Sequence, residues 1–428
     1  MSKLSTESYK GVRDFYPKDK FIQNHIFKKL RETVERFGYV EYDASILESA
    51  ELYKAKTGEE IVNEQTYTFT DRGGREVTLR PEMTPTIARM IAAQERELAF
   101  PLRWYSIPNL FRYEKPQRGR LREHWQLNVD LFGVESNEAD TEVITIAYSI
   151  LKHLGASDDA FIIRINNRKT INALYDSFNL SEDERYKVSK LIDKKNKISK
   201  EAFSRTLSDI ITTEKGSLLE QILSSSEHLI THLGAEHPAI KDTREIIKKL
   251  SEQNITNVVF DPTLMRGFDY YTGVVFELFD TNPENSRSLF GGGRYDDLLD
   301  IFGARKIPAV GFGMGDVTAK DFLEVHDLLP QYTSSTQVHI CTLTTLQKPA
   351  AHALARTLRN ANINVSLDIS NKKIGDQIRY ATRQHIPYVI VIGEDEVKTE
   401  IYSLKNLDTG EEKKLTASEI ISLFTTHA

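Results

Sequence analysis

The stretch from Leu110 to Gly133, LFRYEKPQRGRLREHWQLNVDLFG, constrains this chain more tightly than any other. After a turn crowded with cations, Trp125, Leu127, Val129 and Leu131 alternate with polar residues. Alternation at period two puts these apolar side chains on one face of a strand and Gln126, Asn128 and Asp130 on the other. Trp104, Tyr105, Ile107 and Leu110 lead into the turn, so the segment predicts two strands joined by a loop. Arg112, Lys115, Arg118, Arg120 and Arg122 outnumber Glu114 and Glu123 there, which suits a polyphosphate. A charged surface hairpin is the commoner fate of such composition, and the hairpin taken alone favours that reading.

Other segments must therefore decide. The net charge of −6 over 428 residues gives no global attraction for nucleic acid, so any such contact rests on local patches. One cysteine, Cys341, permits no intramolecular disulfide, and the opening MSKLSTESYKGVRDFYP has no apolar signal-like run. No window approaches the ~20 apolar residues of a membrane-spanning helix. A reducing, cytoplasmic setting without a membrane partner is expected.

Along the chain, apolar residues at helical spacing predict a helix over 20–37, ended by Gly38. A short strand at 39–42, a helix over 49–57 and a hairpin over 67–79 turning at DRGGR follow. FIIRIN reads as a buried strand. Between about 169 and 253 strand runs vanish and charged residues surround spaced Leu and Ile, which predicts a helical insertion. Its DKKNK run reads as a solvated helix end, with an RNA contact as the open alternative. Strands resume at 258–260, VVFELF, the GGGRYDD run and PAVGFGMG. A polar linker near 330–336 separates residues 1–330 from a second domain, 334–428. There, helices over 348–360 and 372–385 alternate with strands as in a parallel sheet, before a hairpin near Asp408-Thr409-Gly410 and a last helix.

Four segments embed polar residues in apolar strands, where burial is costly unless they are used. LRPEMTPT places Glu82 and Thr84 at a strand end, a carboxylate and hydroxyl fit to bind an ammonium group. The 110–133 hairpin is the second. LMRGFDYYTG sets Arg266 and Asp269 among Phe268, Tyr270 and Tyr271. LFGGGRYDDLL carries glycines before Arg294 that allow close approach of a ligand or a positive φ. Each has a plainer reading, Arg266 paired with Asp269 or the glycines forming a turn.

Together these segments resemble the class II aminoacyl-tRNA synthetases, and among them the histidyl-tRNA synthetase family. The resemblance runs through GVRDFYP, YTFTDRGGREVTLRPEMT, FRYEKPQRGRLREHWQLNVDLFG, LMRGFDYYTGVVFE, GGGRYDDLL and PAVGFGMG. It implies an α+β catalytic domain with an antiparallel sheet flanked by helices, a helical insertion at about 170–253, and a C-terminal α/β anticodon-binding domain. Arg112 then matches the arginine on the ATP α-phosphate, Glu114 the adenine end and Arg120 the outer phosphates. Arg266 matches a second arginine beside the α-phosphate, and His124 stands where an adenine-stacking phenylalanine is common. Glu82, Thr84 and Gln126 match residues holding the α-amino group of histidine. Asp130 and Tyr271 match those facing its imidazole, with Asp in place of a usual Glu.

The resemblance further implies ATP with Mg²⁺ and no assigned protein ligand for the metal, tRNA(His) as partner, and a homodimer. Lys372, Lys373, Gln377, Arg379 and Arg383 become candidate tRNA contacts. Departures accompany the match. Val317 and Thr318 replace a Glu-Arg pair whose arginine packs on ATP, and Ser45 replaces a proline of the dimer interface. The lost arginine gives standing to a second reading, a non-catalytic regulatory subunit of ATP phosphoribosyltransferase that binds histidine as a signal. A synthetase for another amino acid conflicts with FDYY after position 266.

Overall fold

A computed structural model describes residues 4–54, 65–195, 198–265, 270–285 and 287–425. The chain divides into two compact units, Met1–Leu329 and Pro330–Ala428. In the first, β1 (Val40–Glu41) is followed by β2 (Leu47–Ser49), β3 (Tyr67–Thr70) and β4 (Glu76–Leu79). Then come β5 (Leu102–Ser106), β6 (Asn109–Phe111) and the ten-residue β7 (Glu123–Phe132). After β8 (Phe161–Asn167) the described residues form helices up to β9 (Val258–Phe260), and β10 (Val274–Asp280), β11 (Ser288–Arg294) and β12 (Ala309–Gly315) follow.

Neighbours in the large sheet run β1-β5-β7-β12-β11-β10-β8-β9, with β6 also on β7. The pairings from β5 to β8 are antiparallel, as the resemblance implies. One face is buried under helices Pro17–Arg36, Asn137–His153, Pro238–Glu252 and Asp316–Val325, whose Leu30, Val143, Leu250 and Phe322 pack with Val129, Phe276 and Phe312. Period-two alternation sends Leu127, Val129 and Leu131 into this core and leaves Gln126, Asn128 and Asp130 to the opposite face. That opposite face carries the site.

Local differences from the sequence reading have physical causes. The helix expected over 49–57 begins as β2, which pairs with β4 beside β3; Ala50–Lys54 is helical, and the rest of that range lies outside the described residues, as does part of the DKKNK run. Thr84 does not end a strand: β4 stops at Leu79, and Thr84 opens helix Thr84–Gln94 with Pro85 in its first turn, where a missing N–H costs nothing. Five further helices between Arg168 and Leu233 form the insertion together with Pro238–Glu252, around Leu174, Phe203, Leu207 and Ile240.

The second unit holds β13 (Val338–Thr342), β14 (Val365–Leu367), β15 (Tyr388–Ile392), β16 (Tyr402–Asn406) and β17 (Glu412–Leu415) in the order β14-β13-β15-β16-β17. The first three are parallel, joined by helices Lys348–Asn360 and Ile374–Arg383. Gln377 is buried, with its amide bonded to the Thr342 backbone N–H and C=O at 3.0 Å each. It fastens its helix to β13, which corrects its reading as an RNA contact; Lys372, Lys373, Arg379 and Arg383 remain exposed.

Arg294, which follows the glycine run, faces the helix-covered core. It binds Asp140 at 2.6 Å, with side chains 7% and 1% exposed, and donates to Val134 O and Ser136 O. This buried pair clamps β11 to the start of helix Asn137–His153. Breaking a buried pair from one side leaves an uncompensated charge, so Arg294→Ala should cost ~3–5 kcal/mol in chemical denaturation. A loss under ~1 kcal/mol would mean the clamp is dispensable.

Candidate active site

Strand register lays a row of residues across the free face of the sheet: Trp104, Asp130, Gly311, Gly293, Val275 and Asn166 are successive partners. The next row holds Ser106, Asn128, Gly313, Gly291, Glu277 and Arg164. Glycine in the middle of a sheet weakens it unless something must lie close above. Here a Cβ on Gly311 would fall 2.5 Å from Asp130 Oδ1 and 2.7 Å from Tyr295 Oη. One on Gly293 would fall 2.9 Å from the Tyr271 ring, and one on Gly313 would fall 2.8 Å from Gln126 Nε2. These three glycines make room for the side chains of an acid, two phenols and an amide. None of them has positive φ, so Gly293, from the glycine run before Arg294, serves the close approach of a side chain and not a left-handed turn.

Asp130 is 5% exposed and accepts the Tyr295 hydroxyl. Burial pushes its carboxyl up to about 7, against the opposing effect of that hydrogen bond. Burial and the same carboxylate raise the Tyr295 and Tyr42 hydroxyls well above the ordinary phenol range. Tyr270, Tyr271 and Tyr295 form one ring cluster, with centroids 4.8, 5.8 and 6.4 Å apart. A carboxyl raised by burial and bonded by a phenol of this ring cluster is fit to share a proton with a small planar base.

Glu82 and Thr84 lie on the bend between β4 and helix Thr84–Gln94. The Tyr53 hydroxyl donates to Glu82 O at 3.3 Å, and the Glu82 side chain is buried. Arg112 reaches the same bend, its Nε donating to Pro81 O at 2.8 Å. The structure thus brings the first two sequence segments together, although 30 positions separate Glu82 from Arg112.

In the basic loop the cations divide. Arg122 is buried, with its guanidinium 4.0 Å from the Tyr113 ring centroid and its Nε on Glu114 O. It fixes the loop from below, so it does not add to the exposed positive charge read from the sequence. Arg120 is exposed and pairs with Glu114 at 3.0 Å; Arg118 donates to Asn285 Oδ1 at 3.1 Å. Arg112 and Arg120 remain at the surface of the site as groups a polyphosphate can engage in planar pairs. His124 stands in line with Gln126 on the same strand face. Burial first, then Arg112 and Arg13, depress its imidazole to about 3, so the ring is neutral.

Arg266, with Phe268 and Asp269, lies outside the described residues. Local sequence does not mark Tyr295, Gly311, Gly313, Arg13 or Asp316, because only cross-strand register and long-range pairing show which glycine lies under which acid. Glu277, in VVFELF, does carry a local signal, a lone acid within an apolar strand. Among the described residues no three His, Cys, Asp or Glu side chains are grouped to hold a metal ion, and no helix is long and apolar enough to cross a membrane.

The chain is similar to known proteins over its whole length. The profile of the histidyl-tRNA synthetase family matches residues 11–319, and that of the anticodon binding domain matches 337–427. Histidine–tRNA ligase of Leptospira biflexa is 42% identical over 98% of this chain and 97% of its own length. That of Thermoplasma volcanium is 35% identical over 98% of both. A histidyl-tRNA synthetase structure from Nostoc superposes with a TM-score of 0.85 over 100% of both chains at 23% identity, a likeness of fold. A Bacillus halodurans structure, named ATP phosphoribosyltransferase regulatory subunit/histidyl-tRNA synthetase, gives 0.74 at 26% identity over 91% of this chain and 99% of that one. With both profiles matched in order and relatives similar from end to end, the chain belongs to the histidyl-tRNA synthetase family and has the class II catalytic fold joined to an anticodon-binding domain.

Proposed function

We propose that this chain is a histidine–tRNA ligase in which Asp130 and Tyr271 face the imidazole of histidine while Glu82, Thr84 and Gln126 hold its α-amino group. The observation that carries this assignment is the buried Asp130 carboxyl on Gly311, bonded by Tyr295. An imidazole has two nitrogens, and a carboxyl and a phenol address both. An isostere without them leaves these groups unpaired, so rejection by ~10⁴-fold needs no editing step.

ATP lies along the Arg112, Glu114, Arg120 and His124 side. The histidine carboxylate attacks the α-phosphorus in line and pyrophosphate leaves, with Arg112 neutralising charge on the phosphoryl oxygens. Arg266 has the same task by resemblance. No protein nucleophile is required, because the substrate carboxylate supplies the attacking oxygen. The terminal ribose hydroxyl of tRNA(His) then attacks the adenylate carbonyl and releases AMP. Mg²⁺ would accompany ATP and would neutralise charge on its phosphates; Glu277, in the row of Asn128, would be the carboxylate on this face to help hold it.

The exposed apolar residues Val40, Ile46, Leu47 and Phe69 support a homodimer built through β1 and the small sheet. A cytoplasmic setting follows from the tRNA partner. The regulatory-subunit reading is weaker, because a histidine sensor has no need of the anticodon-binding domain matched at 337–427 or of the phosphate-side arginines.

Histidine-dependent exchange of pyrophosphate into ATP should be measurable with the purified protein and Mg²⁺, and Arg112→Ala should lower its rate by ~10²-fold or more. A folded wild type without exchange favours the sensor.

Histidine affinity should also follow pH. The complex holds one proton between the Asp130 carboxyl and the imidazole. Free Asp130 titrates at about 7 and free imidazole at ~6.5. Above both values a proton must be taken up on binding, and below both one must be released. Affinity in calorimetric titrations should therefore peak between them and fall toward about tenfold per pH unit on either side. A flat profile contradicts the shared proton.

A further inference from the structure

The resemblance noted in the sequence leads one to expect an ATP-packing arginine at position 318, where this chain has threonine. The Thr318 hydroxyl donates to Leu289 O at 2.8 Å and to Gly315 O at 3.1 Å. A Cβ on Gly119, at the tip of the basic loop, would fall 3.5 Å from the Thr318 methyl, so the loop occupies that side of the helix.

Two residues earlier, Asp316 does something unusual for the first turn of a helix. Its side chain is 4% exposed, and it accepts the Trp125 N–H at 3.0 Å, Gln23 Nε2 at 3.4 Å and Arg13 Nη2 at 2.8 Å. The carboxylate thereby ties three elements together: helix Pro17–Arg36, the entry of β7 beside His124, and the segment before that helix. Arg13 is held there with its guanidinium 4.9 Å from the Phe15 ring centroid, and Phe15 packs edge-on against Trp125 at 5.4 Å.

The hold on Arg13 is incomplete in a telling way. Its Nε is buried and has no hydrogen-bond partner, which costs free energy unless a bound group satisfies it. The side chain keeps 23% of its surface exposed, so a ligand reaches it. Asp316 holds both Arg13 and the Trp125 N–H, and Trp125 directly follows His124, so Arg13 lies at the His124 end of β7.

We propose that Arg13, anchored by Asp316, is a nucleotide-binding residue that takes over at the His124 end of the site the contact with ATP which position 318 does not make. A guanidinium keeps its charge at any working pH and stacks on a purine as readily as it pairs with a phosphate. Asp316 is the positioning residue for it. This inference rests on the ligase reading above.

The test is pyrophosphate exchange with ATP and histidine varied separately. Arg13→Ala should raise the KM for ATP by ~10-fold or more and leave the KM for histidine near its wild-type value. Arg13→Lys should fall between the two, because it keeps charge and loses the planar fork. Thr318→Arg placed in the Arg13→Ala protein should recover part of the ATP affinity. An ATP KM within about twofold of wild type in Arg13→Ala overturns the proposal. So does a parallel rise in both KM values with a lowered thermal midpoint, which would make Arg13 only a strut between Asp316 and the helix. Absence of exchange in the wild type would instead defeat the ligase reading itself.

Discussion

The site depends on one contact, the carboxyl of Asp130 lying directly on the backbone of Gly311 with the Tyr295 hydroxyl bonded to it. A buried acid is costly and needs a partner. A side chain on the adjacent strand would displace both acid and phenol. Glycines at 293, 311 and 313 weaken the centre of the sheet as secondary structure, and the four helices packed on the opposite face compensate with apolar burial. The sheet is thus rigid on one side and hollowed on the other, which is what a small polar substrate needs in order to be surrounded.

The side proposed for the nucleotide obeys a different rule. Its cations are arranged in advance by anions and rings: Arg120 by Glu114, Arg122 by Tyr113, and Arg13 by Asp316. A guanidinium already oriented loses less freedom when phosphate or purine arrives. Exposed pairs such as Arg120–Glu114 contribute little to stability, so Arg120 can exchange its partner for a phosphate at small cost. Arg122 is buried and cannot. The distinction between a loop's foundation and its working groups therefore follows from burial, since the residue types are the same.

Much of this was legible in the sequence because it depends on local periodicity. Alternation through Trp125–Leu131 fixed which side chains of β7 face the core, the 3.6-residue period gave helix Pro17–Arg36, and β-α-β spacing gave the second sheet. What escaped depends on pairing between distant segments. Nothing in PAVGFGMG says that Gly311 lies beside Asp130, and nothing in GVRDFYP says that Arg13 meets Asp316 303 positions away. Gln377 misled for a related reason: an amide on a helix among basic residues reads as a ligand contact until its hydrogen bonds to Thr342 are seen. Residue type announced the chemistry, and register decided which copy of each type performs it.

The most direct test of this account is a calorimetric titration of histidine into Gly311→Ala, with ATP binding to the same protein as the control for an intact fold. A methyl group 2.5 Å from both the Asp130 oxygen and Val129 O must push the carboxyl, the Tyr295 ring or the neighbouring strand aside, so histidine affinity should fall by ~10²-fold or more while ATP still binds. Histidine binding at wild-type strength in that variant would contradict the claim that the glycine floor and its buried acid form the pocket.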